Sequence, residues 1–442
     1  MATTNISSGS VALNDMLKDY MPYKLLSDEI IKRDYFLSTV EKDQKWKGGE
    51  LQVPFLGANA SSLSFGSLTY ETDIADDQFV RGTVSNYAEL WGAMQFHQRD
   101  LDSLKGGESA FVDLIGDRIE VFAQTMKEAL SMQLLNGAAI DTVANVPAAD
   151  GSAGEIPVNR PELFQVGQKV LIAESGSTNL RDSGNATVGS EKAYYVIKID
   201  LNLAYITVSA TRGGAGADVD TDGVAANDPI YHDGCFVHGT GESNVFTSLP
   251  GQLLKSGEVS GSATGSADLF GVAKVNYPHL QAYNETGSSA FSDTIANKTA
   301  LKKIFDVSTT VRRLGRGNPT EAIMSFKNLA QCMAELETSR QYQADVKNIS
   351  AYGWQEIQVS GVKGSLKLVG IPEMSDSNVL VLDKSTMKLH SDGFIERRQA
   401  PDGKQFYEVR GNTGYKYIVD HRFYGDLVCS KPSANAIIHD CS

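Results

Sequence analysis

The sequence has few cysteines and few prolines, and each shortage limits what the protein can be. Its 442 residues include only 12 prolines and four cysteines, Cys235, Cys332, Cys429 and Cys441. No two cysteines form a Cys-x-x-Cys pair, which argues against a zinc ribbon and a thioredoxin motif. Four scattered thiols in so long a chain indicate a reducing compartment.

Signals for membranes and secretion are also missing from the sequence. No run of about 18 apolar residues occurs, so no membrane-spanning helix is predicted. Residues 1–10 contain no basic region followed by an apolar run, so we expect no signal peptide. Synthesis in a cytoplasm is therefore expected.

Sequence motifs of common enzyme classes are absent. Lys255, Lys298 and Lys384 are each followed by Ser or Thr but lack the preceding glycine of a P-loop. Neither a Gly-x-Ser-x-Gly elbow nor a His-Glu-x-x-His pair occurs. We therefore predict no catalytic, cofactor-binding or metal-binding residues and expect a protein that is not an enzyme.

The composition is that of a globular protein with many turns. Glycine is abundant, at 41 residues, which favours turns, hairpins and long loops. The length suffices for two or three domains. The net charge of −14 argues against broad nucleic-acid binding through the surface of the fold.

One long amphipathic helix is predicted from residue 109 to residue 136. Apolar residues recur there at steps of three and four and form one stripe. The stripe consists of Phe111, Leu114, Ile115, Ile119, Phe122, Met126, Leu130 and Leu134. Ser109 is the expected N-cap, and Asn136-Gly137 the expected C-terminal stop.

An extended arm precedes this helix. It comprises two strand-like segments, GELQVPF at 49–55 and QFVRGTVS at 78–85. A two-stranded ribbon is marginally stable in water by itself, so such an arm needs another surface to lie on. The pattern suggests a chain whose role is to contact copies of itself.

The residue pattern changes in the middle of the chain. Residues 138–158 are predicted to be a loop, and 159–245 an all-β stretch with a hairpin at 194–199 and 204–208. Residues 211–229 are predicted to be an exposed loop. The Gly- and Ser-rich residues 255–267 are predicted to be flexible.

The C-terminal part is predicted to be mixed α/β. Helices are expected at 301–314, with Thr299 as a possible cap, and after Ser325, which caps the second helix. Strands are expected at 322–325, 356–359, 366–369, 379–382, 406–409 and 415–419. Asp402-Gly403 predicts a hairpin turn between two of them.

Three clusters of side chains are candidate binding sites. His232 and His238 flank Cys235, a weak zinc pattern. Residues 218–223, DVDTDG, match the start of a calcium loop. Its twelfth position is Pro229 instead of Glu, which favours a solvated acidic loop.

A basic cluster at Arg312, Arg313 and Arg316, with Arg397-Arg398, suits helix-end charges or ion pairs between subunits.

The order of these segments resembles the major capsid protein of tailed bacteriophages, which has the Hong Kong 97-type fold. Beside the arm and the long helix with its closing LLNG, four phrases carry the resemblance. They are AELWGAMQFHQRDL at 88–101, PTEAIMS at 319–325, IPEM at 371–374 with VLVLD at 379–383, and DHRFYGDL at 420–427.

The resemblance implies an α+β fold with an inserted all-β domain. The implied segments are an N-terminal arm (1–48), an extended loop (49–85), a peripheral domain with the spine helix (86–158), a β insertion domain (159–245), a flexible connector (246–298), an axial domain (299–383) and a return to the axial and peripheral domains with the C-terminus (384–442).

The resemblance also implies a function. The chain would assemble into the icosahedral capsid shell that encloses a double-stranded DNA genome, without sequence-specific DNA binding and without a cofactor. The implied partners are other copies in hexamers and pentamers, a portal, a separate scaffolding protein and decoration proteins, with no membrane. Assembly is expected in the cytoplasm of a bacterial host.

Other interpretations remain open at this point. An encapsulin-type nanocompartment shares the fold, and a tail-tube or sheath protein is a further structural alternative. Outside that class, Cys235 and His238 suggest a hydrolase, and Asp218–Asp222 a calcium-dependent binding protein.

Overall fold

The structure is a computed structural model that describes most of the chain. The described residues are 35–44, 46, 50–56, 79–84, 88–97, 108–144, 154–181, 193–214, 224–287, 290–291, 299–314, 317–339, 346–349, 354–361, 364–392, 396–397, 407–411 and 414–441. Predictions for residues 1–34, for the distal part of the arm at 57–78, for the acidic loop 218–223 and for the Asp402-Gly403 turn lie outside this part of the chain.

Helices and strands are both well represented in the described residues, as the predicted α+β class requires. The helices are α1 Tyr35–Thr39, α2 Glu108–Asn136, α3 Leu249–Leu253, α4 Ala300–Arg313 and α5 Phe326–Ser339. None of these is long and apolar enough to cross a membrane.

The strands are short, apart from two. They are β1 Glu41–Asp43, β2 Leu51–Leu56, β3 Phe79–Val84, β4 Ala88–His97, β5 Ala139–Thr142, β6 Glu155–Pro157, β7 Lys169–Ile172, β8 Tyr194–Asp200, β9 Tyr205–Ser209, β10 Pro229–His232, β11 Phe236–Val237, β12 Gly241–Glu242, β13 Val259–Ser260, β14 Ala263–Thr264, β15 Asp268–Leu269, β16 Val272–Ala273, β17 Tyr283–Thr286, β18 Glu321–Met324, β19 Val346–Ile349, β20 Trp354–Gly361, β21 Gly364–Gly370, β22 Val379–Leu382, β23 Met387–Ser391, β24 Glu396–Arg397, β25 Tyr407–Gly411, β26 Gly414–Cys429 and β27 Ala436–His439.

The chain divides into two compact units, each assembled from separate stretches of sequence. The first consists of Met1–Gly48, Glu89–Ser131 and Leu389–Asp426. The second consists of Gly49–Ala88, Met132–Lys388 and Leu427–Ser442.

The first unit contains a six-stranded sheet built around the long strand β26. The strand order is β1-β23-β26-β24, and β4 and β25 also pair with β26. On this sheet the ring of Phe122 lies 5.2 Å from that of His421, centroid to centroid. Strand β4 passes close to this ring at Gly92, where an added Cβ would lie 2.6 Å from a Phe122 ring carbon. A side chain at position 92 would therefore displace Phe122.

The long helix α2 agrees with its prediction at both ends to within one residue. It begins at Glu108, so Ser109 is its second residue and not its cap, which corrects the capping prediction. It ends at Asn136, followed by Gly137 with a positive φ of 131°. In the described part of the stripe, Met126, Leu130 and Leu134 are buried, as predicted.

A six-stranded antiparallel sheet forms the all-β part of the second unit. Its order is β5-β10-β7-β8-β9-β6. The predicted loop over 138–158 is therefore wrong in part, because β5 and β6 lie within it and both join this sheet. Alternate side chains on β7, β8 and β9 fill one apolar core, which includes Val170, Val196 and Ile206.

A buried carboxylate ties two loops to this sheet. The side chain of Asp228 is fully buried and accepts two hydrogen bonds from the Arg181 guanidinium, at 2.8 and 3.2 Å. It also accepts the backbone N–H groups of Ser175 at 3.0 Å and Ala225 at 2.7 Å. Each oxygen of this buried anion thus has two donors, as buried charge requires.

A mixed seven-stranded sheet forms the other layer of the second unit. Its order is β17-β27-β22-β18-β21-β20-β19. Helix α4 contributes Leu301, Ile304, Val307 and Val311 to the apolar core on this sheet. The strands predicted over 356–359, 366–369 and 379–382 correspond to β20, β21 and β22.

The two helices of this layer begin differently. Ser325 accepts the backbone N–H of Asn328 at 3.3 Å, so its predicted capping role is confirmed. Thr299 occupies the N-cap position of α4 but makes no side-chain capping bond. Instead Glu335 of α5 accepts the N–H of Leu301 at 2.7 Å, so the cap comes from the neighbouring helix.

Two side chains join the sheets of the second unit through the loop 371–378. The Asn136 amide donates to the carbonyl of Glu373 and accepts the N–H of Ser375 at 2.6 Å. Arg160, next to the all-β sheet, donates to the carbonyls of Met374, at 2.7 Å, and Pro372. One loop is thereby held from both sides.

Residues 246–287 are structured, which differs from the flexible connector expected over 246–298. They form α3 and the short strands β13 to β17 around buried Leu253, Leu269 and Leu280. Lys274, also buried, donates from Nζ to the carbonyls of Gly251 at 3.0 Å and Leu254 at 3.1 Å. Its ammonium thus fixes the residues around α3.

Lys274 should contribute a rise in folding stability with pH on the alkaline side, opposed by the four buried thiols, whose raised pKa values lower stability over the same range. Burial lowers the pKa of Lys274 to about 8, against 10.5 for a free lysine. Below pH 8 both states are protonated and the folded state bears the cost of the buried charge. Between these values only the unfolded chain still binds the proton, so the contribution of Lys274 to stability rises, by on the order of 3 kcal/mol in total.

Urea unfolding between pH 7.5 and 10.5 measures this effect, at about half-unit steps. The stability of the wild type relative to Lys274→Gln should rise across this range, because the difference cancels the contribution of the thiols, whereas Lys255→Gln, at a solvent-exposed position, should stay parallel to the wild type. Parallel profiles for the wild type and Lys274→Gln would contradict the prediction.

Candidate functional site

The two arm segments form an antiparallel ribbon. Strand β2 pairs with β3 from Leu51 opposite Val84 to Leu56 opposite Phe79. Side chains alternate between its faces, with Val53, Phe55 and Val84 buried on the inner face. Gln52, Pro54 and Arg81 are exposed on the outer face.

The base of this ribbon is anchored on the hairpin β15–β16 of the second unit. The ring of Phe55 is fully buried and stacks on that of Phe270, with centroids 6.3 Å apart and planes 5° apart. Gly82 lies against Phe55, since an added Cβ would be 2.4 Å from the Phe55 ring. The backbone N–H of Thr83 donates to the carbonyl of Phe270 at 2.9 Å.

These contacts bear on the prediction that the arm needs another surface to lie on. The described base has such a surface, made by Phe270 and its neighbours. The distal residues 57–78 lie outside the described part. Phe270 is separated from the arm by almost two hundred positions, so no local pattern in the sequence identifies it as the anchor.

The proposed zinc cluster does not converge on a common point. The Nδ1 atom of His232 lies 3.2 Å from the Gln168 amide, and that of His238 accepts the N–H of Leu180 at 3.0 Å. The Cys235 thiol is 3.0 Å from the Gln133 amide nitrogen. Over the described residues, no group of three His, Cys, Asp or Glu side chains is arranged to hold a metal.

The pKa values and hydrogen bonds of these residues do not suit a nucleophile paired with a base. Burial raises the pKa of Cys235 to about 11, so its thiol is protonated near neutral pH. Burial lowers the pKa of His232 to about 4. Because Nδ1 of His238 accepts a backbone N–H, that nitrogen is not available as a base for the thiol.

The basic cluster is divided in the structure. Arg312 donates to the carbonyl of Pro319 at 2.6 Å and so ties the end of α4 to the following segment. Arg313 is at the solvent-facing end of the same helix. Arg316 and Arg398 lie outside the described residues, as does the acidic loop at Asp218–Asp222.

A cavity of about 810 Å³ lies beside the hairpin that holds the ribbon. Its lining includes Phe270, Gly271 and many small polar residues, with Glu242 and Asp268 as its ionisable groups. Tyr231 donates its hydroxyl to Glu242 at 3.2 Å. Histidine and cysteine do not occur among the lining residues, so this wall offers no nucleophile paired with an imidazole base.

No protein-family model and no curated protein matches this chain. Several solved structures are similar to it at low sequence identity. The capsid asymmetric unit of cyanophage A-1(L) has a TM-score of 0.42 and 11% identity, over 91% of this chain and 90% of that chain.

Two further structures are similar over comparable lengths. The procapsid of satellite phage P4, which includes the size determination protein, has a TM-score of 0.39 and 9% identity, over 95% of this chain and 90% of that chain. An encapsulin complex from Synechococcus elongatus has a TM-score of 0.38 and 10% identity, over 92% of this chain and 86% of that chain.

Proposed function

We propose that this chain is the structural subunit of a viral capsid, a closed icosahedral shell that encloses double-stranded DNA. In this role it performs no catalysis. The proposal combines the ordered sequence phrases that resemble tailed-phage capsid proteins with the geometry of the β2–β3 ribbon.

The observation that carries the proposal is the anchored base of the ribbon. A free two-stranded ribbon is marginally stable, but the stacked rings of Phe55 and Phe270 and the bond from Thr83 fix this one to the subunit. A firmly held ribbon is suited to reach a neighbouring subunit, because the entropy of ordering its base is already lost within the subunit.

The finer architecture in this proposal is the Hong Kong 97-type arrangement. Helix α2 would be the spine helix and residues 49–85 the extended loop. The all-β sheet of the second unit would be the inserted domain, and the seven-stranded sheet with α4 and α5 the axial domain.

The proposed partners follow from this role. Copies of the chain would form hexamers and pentamers through heterologous contacts that close into a shell. A portal, a separate scaffolding protein and decoration proteins would join them, and assembly would take place in the cytoplasm of a bacterial host.

Negative-stain microscopy of the purified full-length chain tests the proposal. Closed particles of uniform diameter are the expected result, and dynamic light scattering should give one large species. A monomer at all concentrations would contradict the proposal. Particles that contain a protein cargo and no DNA when they are isolated from infected cells would instead support a nanocompartment.

Free subunits should bind DNA weakly even though the shell encloses it. The net charge of −14 repels phosphate at long range, and the sequence has basic residues only in short clusters. At about 150 mM salt we expect a dissociation constant for duplex DNA of about 100 μM or weaker. Fluorescence anisotropy with a labelled duplex measures it. A sub-micromolar value with a steep salt dependence would contradict this prediction.

A further inference from the structure

The hairpin β15–β16 reverses direction through two residues, Phe270 and Gly271. Leu269 pairs with Val272 across the hairpin, so only these two residues form its loop. Both have positive φ values, 50° for Phe270 and 80° for Gly271. Positive φ at both loop residues is the mark of a type I′ turn, for which Asn-Gly is the preferred sequence.

Phenylalanine is poorly suited to the first position of this turn. A left-handed backbone brings the Cβ of an L-residue close to the following carbonyl oxygen, and a bulky residue in this region is an outlier. The turn itself is uncrowded, since a Cβ added to Gly271 would meet no atom within 4 Å. A strained backbone of this kind persists where surrounding contacts hold it.

Contacts with the ribbon hold the turn in this conformation. The ring of Phe270 stacks on that of Phe55, and the carbonyl of Phe270 accepts the N–H of Thr83. A Cβ added to Gly82 would lie 3.2 Å from the Phe270 Cβ, so the backbone of β3 passes close to the turn. The residue that suits the turn least is thus the residue that contacts the ribbon.

The cavity beside the hairpin gives the turn space in which to relax. Leu269, Phe270 and Gly271 form part of the wall of this cavity, whose volume of about 810 Å³ exceeds that of any side chain. The hairpin therefore has room to change its backbone conformation once the ribbon no longer holds Phe270.

We propose that Phe270 is a strained latch, which couples the docking of the ribbon base to the conformation of the β15–β16 turn. While the ribbon base is docked, the stacking on Phe55 and the bond from Thr83 offset the strain. When the base is released, the turn relaxes, so undocking and relaxation are one step. The latch is a property of the single subunit and does not rest on the proposed shell function.

The strain makes this anchor releasable. Because relaxation of the turn returns the strain energy, the docked state is favoured by less than its contacts alone would give. A contact that withdraws Phe55 from the turn would therefore release the ribbon base and the hairpin together.

Hydrogen exchange in the full-length chain, measured by mass spectrometry, tests the latch. The reporters are a ribbon peptide that covers residues 79–84 and a hairpin peptide that covers residues 266–273. Phe55→Ala removes the stacking partner, and Gly82→Ala places a methyl group against the Phe55 ring. We expect each substitution to accelerate exchange in both peptides by the same factor, roughly tenfold. Val275→Asn, at a side chain that is 80% exposed, is the control and should change neither peptide.

Phe270→Asn gives the decisive comparison, because asparagine suits the turn but has no ring to stack. In the otherwise wild-type chain it should accelerate exchange of the ribbon peptide. In the Phe55→Ala and Gly82→Ala backgrounds the stacking is already lost, so Phe270→Asn only relieves strain. There it should slow exchange of the hairpin peptide by roughly fivefold or more.

Two results would overturn the latch. Exchange that rises in the ribbon peptide alone would show that docking and the turn are not coupled. Hairpin exchange that Phe270→Asn leaves unchanged or accelerates in both backgrounds would show that the turn stores no strain. Circular dichroism verifies that each variant is folded, and light scattering that all are compared in the same state of association. If Phe55→Ala fails to fold, the Gly82→Ala background alone decides.

Discussion

Removal of residues 57–78 should abolish particle formation and leave a folded subunit. The reason is that the ribbon would keep its anchored base, with Phe55 still packed on Phe270, but would lose the residues that connect the last pair, Leu56 with Phe79. A four-residue Gly- and Asn-containing turn can close the shortened ribbon. Sedimentation velocity should show monomers or small oligomers in place of particles.

Two further measurements interpret this deletion. A variant in which residues 57–78 are replaced by a Gly/Ser linker of equal length tests whether loop length alone suffices, and we expect it also to fail to assemble. Urea unfolding should give the deletion variant a stability within about 1 kcal/mol of the wild type, as is usual for changes away from the core. Normal particles from the deletion variant would show that the arm is not the assembly element.

Asp228→Asn should destabilise the all-β sheet of the second unit by about 3 kcal/mol or more. The substitution keeps the shape of the side chain but removes the charge that pairs with Arg181, and it turns one acceptor into a donor that faces N–H groups. Breaking a buried ion pair by removing one partner carries a cost of this size. Urea unfolding monitored by tyrosine fluorescence measures it.

Asp233→Asn provides the matched control for this prediction. Asp233 pairs with Lys169 at 2.8 Å in the same sheet, but both side chains are more than two-fifths exposed. Surface pairs of this kind contribute about 1 kcal/mol or less. Equal destabilisation by the two substitutions would mean that the Asp228 network does not hold the loops at Ser175 and Ala225.

Long periodic segments could be predicted from the sequence. The apolar stripe with its Asn136-Gly137 stop predicts α2 to within one residue, because a repeated helical period leaves few alternatives. The strands β20, β21 and β22 and the capping role of Ser325 were predictable for a similar reason. Each has a local pattern of alternating or apolar residues beside a turn or capping residue.

Features that depend on distant contacts could not be predicted. Strands β5 and β6 have three or four residues each, too few for an alternating pattern, and they become strands because the sheet pairs with them. Asp228, Lys274 and Phe270 look like ordinary polar or apolar residues in the sequence. Their roles arise from partners that only the folded chain brings together.

The ribbon could be predicted from the sequence only in part. Its two segments were identifiable from the sequence as strand-like and in need of a supporting surface. The identity of that surface, the hairpin around Phe270, was not, since nothing near positions 268–273 marks it. The pairing of Pro54 with Arg81 and the bond from Thr83 to Phe270 are likewise visible only in the folded chain.

The placement of the four thiols affects how the protein would tolerate a change of surroundings. All four cysteines are buried and free, and burial raises the pKa of each, to about 11 for Cys235 and Cys429 and to about 12 for Cys332. Oxidants and alkylating reagents react with thiolates, which are scarce at such pKa values. We therefore expect the folded chain to form few disulfides between copies in an oxidising medium. The rate at which each thiol is alkylated would therefore report how often the segment around it opens, because only a transiently unfolded segment exposes the thiol.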